Sequence, residues 1–156
     1  MAESKKEIFD KEKKEKADHK ISKDNWLRAS MMIEVLAKTE EATRSALEQH
    51  VESMAKEKMV IMYKKDYSEI QRIENPLRNR PEIKEAFSYL VEVEMAVKRY
   101  ESLISIVMSY GPSSVEILEP NKLQLDLGEA QGIVNSVGDL MHKFIAAGVG
   151  GVVIKS

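Results

Sequence analysis

The chain has no cysteine among its 156 residues. Disulfides, thiolate metal sites and a cysteine nucleophile are thereby excluded, which fits a reducing compartment. No run approaches the roughly 18 apolar residues of a membrane-spanning helix. The first residues, Met1 to Asp10, lack the continuous apolar core of a signal peptide. A cytoplasmic protein off the membrane is the expectation. A surplus of one charge is missing too. The 24 basic and 26 acidic side chains leave a net charge of -2, whereas non-specific nucleic-acid binders usually carry a basic surplus. No segment repeats. The length suits one domain that buries its own core.

Residues 1–25 hold eight lysines and seven carboxylates, with Ile8, Phe9 and Ile21 as their only large apolar side chains after Met1. So little can be buried there that a charged, flexible tail, disordered or a loosely attached helix, is predicted, leaving 26–156 as a single domain. Trp26 to Ala37 fits either period, but the β-branched Ile33 and Val35 favour a strand from about Met31. Thr39 then caps a helix over Glu40–Lys58, with Thr43, Leu47, Val51 and Met54 on one side. Met59 to Tyr63 reads as a short buried strand. Lys64 to Ile73 is a polar extension of it or a loop.

Between Pro81 and Gly111-Pro112, an apolar series recurs at steps of three or four: Ile83, Phe87, Leu90, Val93, Val97, Tyr100, Ile104 and Val107. That spacing predicts one long helix opening at Pro81. Phe87, Tyr89, Val91, Val93, Met95 and Val97 also alternate with period two, so a strand competes for that window. Ser114–Leu118 and the segment around Leu123 and Leu125 read as a hairpin. Asp126 and Glu129 form a capping box for a last helix bearing Ala130, Ile133, Val134, Val137, Met141, Phe144 and Ile145. Val152 to Ile154 reads as a final strand. The expectation is an α/β (α+β) two-layer sandwich of order βαβαββαβ, with a mixed sheet of about five strands and three helices. A ferredoxin-like sheet, with part of the long helix extended instead, is the alternative.

Few residues invite chemistry. His19, His50 and His142 have no second ligand at recognisable spacing. Carboxylates such as Glu40, Glu41, Glu48, Glu92 and Glu94 alternate with bases along helix faces. Gly111-Pro112-Ser113-Ser114 follows a helix and lacks a lysine, which is the wrong order for a phosphate loop. Gly128, Gly132 and Gly138 in the last helix suggest close packing against the sheet. No catalytic residue, cofactor or metal site is expected, and the chain is read as no enzyme.

The leading expectation is a non-enzymatic protein-interaction or structural module that self-associates through its apolar terminal strand. Trp26, Met32, Val152 and Ile154 are its candidate partner-binding residues. The alternative is an RNA-associated protein using Lys64, Lys65, Arg72, Arg78 and Arg80, with Tyr63 and Tyr67 interleaved for stacking. Glu57, Asp66, Glu69 and Glu74 dilute that charge. A small-ligand-sensing regulatory domain is a further reading, resting on fold analogy. The stretches Met59 to Lys64 and Tyr110-Gly111-Pro112-Ser113-Ser114-Val115-Glu116-Ile117-Leu118-Glu119-Pro120 resemble a small archaeal protein family of unknown function. The resemblance covers roughly 26–156 and implies a compact cytoplasmic α/β domain, with no activity or site to carry over.

Overall fold

The structure, a computed structural model, describes residues 5–148. Ten elements follow in order: β1 (Lys6–Phe9), α1 (Lys11–Asp24), β2 (Leu27–Ala37), α2 (Glu40–Ala55), β3 (Val60–Tyr67), β4 (Gln71–Glu74), β5 (Glu85–Val97), α3 (Tyr100–Tyr110), β6 (Ser114–Glu119) and α4 (Leu127–Ala146). The sheet runs β1-β3-β5-β2-β6, with β4 beside the start of β5. Every pair is antiparallel, so the mixed sheet expected from sequence is corrected. The series β2-α2-β3-β5-α3-β6, with β5 inserted between β2 and β3, is a split βαβ arrangement of the ferredoxin-like kind. The described helices number four rather than three.

The long helix is the largest correction. Residues 85–97 form β5, the strand that joins the most neighbours, and only 100–110 are helical. Tyr89, Val91, Val93, Met95 and Val97 line its buried side. Phe87, Val93 and Val97 satisfy both a period of two and a period of 3.6, so the true helix stripe of α3 extended backwards by coincidence. Hydrogen bonding to β2 on one side and to β3 and β4 on the other decides the matter. Gly111 ends α3 in the left-handed region at φ 57, donating its N–H to the Val107 carbonyl.

Local signals held where they were strong. The Thr39 hydroxyl accepts from Ala42 N at 3.1 Å, and the Asp126 carboxylate accepts from Glu129 N at 2.7 Å. α2 buries Thr43, Leu47, Val51 and Met54 as its spacing predicts. β2 begins earlier than expected, at Leu27, and alternates cleanly. Its Leu27, Ala29, Met31 and Ile33 join the main core under α2, together with Leu103 and Ile106 of α3. The predicted hairpin does not form: β6 is an edge strand, and Leu123 and Leu125 lie in the loop before α4. The final strand predicted at Val152–Ile154 lies outside the described residues.

Where a flexible tail was expected, the structure has β1 paired with β3 and α1 packed on the sheet. α1 covers the face opposite α2. Its Ala17 is fully buried against Tyr63 and Ala96, with Ile21, Trp26 and Ile61 around them. Tyr63 reaches that face by alternation with Ile61, and the register shift between Met62 and Lys64 then returns Tyr67 to the main core.

Candidate interaction surface

The densest polar cluster joins α1 to the sheet. Arg28 projects from β2, its side chain 15% exposed. It donates from Nη2 to Asp18 at 2.6 Å, from Nη1 to the Tyr63 hydroxyl at 2.7 Å and from Nε to Glu119 at 2.5 Å. Tyr63 in turn donates to Glu94, and Lys14 donates to Asp18 at 2.7 Å. Burial opposes the Arg28 charge, but the bonds to Glu119, Asp18 and Tyr63 outweigh it and raise its pKa. Hydrogen bonds from Lys14 and Arg28 lower that of Asp18. Burial and then the bond to Glu94 push the Tyr63 hydroxyl up. Each charged group here is used to hold α1, β2, β3, β5 and β6 together, which is structural work.

Trp26, a sequence-predicted partner residue, is half-buried at the start of β2, with Lys20 Nζ 5.6 Å from its ring centroid. It separates two open clefts. One of about 550 Å³ also takes in Ile21, Arg28 and Pro120, and one of about 490 Å³ takes in Tyr100, Leu123 and Leu125. Met32 lies on the α1 side of the sheet, 36% exposed, its carbonyl accepting from Ser113. The two residues are not brought together. Val152 and Ile154 lie outside the described residues.

The basic set is also dispersed. Lys64 and Lys65 stand opposite Glu94 and Val93 in the register, whereas Arg72 stands opposite Phe87. That separates them by ~20 Å along β5. Arg72 bonds Glu85 at 2.6 Å, Arg80 bonds Glu82, and Arg78 is exposed in the intervening loop. Of the aromatics offered for stacking, Tyr63 is buried under α1, and Tyr67 is buried in the main core 5.3 Å from Tyr89. Burial, and then the charge of Glu48, raises the Tyr67 hydroxyl to about 12. His50 places Nε2 2.8 Å from the Tyr110 carbonyl.

The uncovered apolar surface lies elsewhere, on α4. This helix packs on α3, with Glu129, Gly132, Ile133, Ser136 and Leu140 half-buried. A Cβ at Gly132 would come within 2.9 Å of the Glu101 carboxylate, so the neighbour of this glycine is a side chain of α3 rather than the sheet. Beside that contact run Val134, Val137, Met141 and Phe144, at 65%, 46%, 50% and 45% exposure. Sequence spacing marks all four as the buried stripe of the last helix, yet α4 has no buried residue. Val115 and Ile117 of β6, on the α2 side of the sheet, are exposed as well. The signal in the sequence was the alternation of three- and four-residue steps, which a stripe lying on a sheet does not need.

Among the described residues, no helix is long and apolar enough to cross a membrane. Residues 28–155 match the MJ0538 family, and the chain belongs to that family, which is named after an archaeal protein. The match begins at Arg28, so β1, α1 and Trp26 stand outside it. No curated protein and no solved structure matches the chain.

Proposed function

We propose that this member of the MJ0538 family is a non-enzymatic protein-interaction module, able to self-associate, that docks through the α4 side of its domain. The apolar stripe of Val134, Val137, Met141 and Phe144 on a helix already anchored to α3 is the observation that carries this reading. Exposed apolar patches of this kind mark interaction sites in soluble proteins. The non-enzymatic part rests on the polar groups themselves. Asp18 and Glu119 both accept from Arg28, His50 Nε2 bonds the Tyr110 carbonyl, and the Tyr110 hydroxyl donates to Glu57. A cysteine-free chain needs no oxidising compartment, and the reading is of a cytoplasmic protein.

Light scattering across concentration tests it on the full chain and on a chain ending at Ala147. A mass above one copy is expected, with an apolar dye bound by whatever single copies remain. Single copies that exclude the dye would sink the reading. RNA association through Lys64, Lys65, Arg72, Arg78 and Arg80 is the weaker alternative, because Arg72 and Arg80 already face carboxylates. Salt-dependent RNA retention lost on replacing those residues would restore it.

A further inference from the structure

We propose that the partner is a second copy of the chain, paired antiparallel through α4. The inference rests on the interaction-module reading and adds the occupant and the register. Leu127, Ala130, Val134, Val137, Met141 and Phe144 follow at alternating steps of three and four. This 3.5-residue repeat keeps one seam facing another helix. The side of α4 that meets α3 is a different one, carried by Glu129, Ile133, Ser136 and Leu140, so Leu127, Val134, Val137, Met141 and Phe144 stay uncovered beside it, with Ala130 half-buried.

Size favours a copy of itself. The seam exposes apolar area on the order of 500 Å², against the ~800 Å² per partner of a standard interface, of which about three-fifths is apolar. The positions flanking the seam also carry no charge that would select a different partner. They are Gln131, Gly138 and Ile145 on one side and Ile133 and Leu140, turned toward α3, on the other, while Asp139, His142 and Lys143 lie on the far side. A self-complementary patch needs only a two-fold axis to close.

Direction follows from side-chain size. Run antiparallel about a point near Asp139, the helices set Val134 against Phe144 and Val137 against Met141, small opposite large in both of these layers, with Leu127 and Ala130 lying beyond the overlap. Run parallel, they set Phe144 against Phe144 and leave valine against valine. Gly138 lies beside the central layers with nothing within 4 Å of where a Cβ would stand, so the two backbones can approach closely there.

The test uses the full-length chain. Sedimentation equilibrium should give a dimer, with Val137→Asp raising its dissociation constant at least ~100-fold by placing a charge in a dry seam. Val137 is exposed in the single copy, so Val137→Asp should keep its helical circular dichroism. The double variant V152D/I154D should stay dimeric. In this cysteine-free background, a mixture of V137C and M141C should form a disulfide between copies, and neither alone should do so efficiently. A dimer that survives Val137→Asp overturns the proposal. So does loss of the dimer in V152D/I154D, which would move the contact to the terminal segment and keep self-association. Efficient crosslinking of V137C alone overturns the antiparallel register. A single copy at all concentrations overturns the second copy. In that case, an apolar dye bound by the wild-type chain and lost in Val137→Asp still supports docking through α4, and no dye binding removes both readings.

Discussion

α2 and α1 cover opposite faces of one sheet and hold on by different means. α2 buries Thr43, Leu47, Val51 and Met54 against the main core, a contact that scales with apolar area and is indifferent to pH. α1 buries only Ala17 and depends on Arg28, which grips Asp18 from the sheet below. One cover is an apolar layer, the other a strap with a charged clasp. The family match, which starts at Arg28, takes in the first and leaves out the second. A fold can therefore keep its core intact while the cover on its other face is set by a few polar atoms.

The comparison can be broken from the apolar side first. Leu47→Ala should destabilise the whole domain by about 2–5 kcal/mol, because it empties a fully buried site. Urea unfolding would measure it, and a loss confined to one element would contradict a shared core. Arg28→Met should cost about 2 kcal/mol through its charged hydrogen bonds. Hydrogen exchange should then quicken in α1 while α2 stays protected; equal loss in both would mean that the two covers are one cooperative unit. Thr39→Ala, which removes the cap of α2, should cost about 1 kcal/mol and shift the melting temperature without touching α1 exchange.

The smallest effect concerns pH. The folded pKa of Asp18 lies below its usual value, so its share of stability is present above the ordinary carboxylate range and is lost as pH falls through the lowered value. The protection of α1 amides, taken relative to their intrinsic exchange rate at each pH, should fall on acidification. Asp18→Asn should remove that dependence. An unchanged acid limb in Asp18→Asn would show that Asp18 is not the group through which acid loosens α1.

Much of this was legible locally. Thr39 and Asp126 announce their helices because a cap needs only an acceptor three residues before a free N–H. The docking of α1 was not legible because a helix anchored by one alanine leaves no apolar stripe to read, and its charges suit a solvated tail equally well. β5 was missed for the opposite reason: it is apolar enough to satisfy two periods at once. The α4 stripe was visible, but an apolar face implies burial without naming the surface that does it.

By itself the sequence determined where α2 and α4 begin, where Gly111 ends α3, and that no thiol chemistry is available. Those are properties of single residues and their near neighbours. Only the tertiary structure decided that 85–97 is extended, since that depends on hydrogen-bonding partners on both sides of the strand. It alone set Arg28 beside Asp18, Tyr63 and Glu119, residues 10, 35 and 91 positions away. It also left the α4 seam bare, because which apolar face finds cover is a matter of how the layers stack and not of any local pattern.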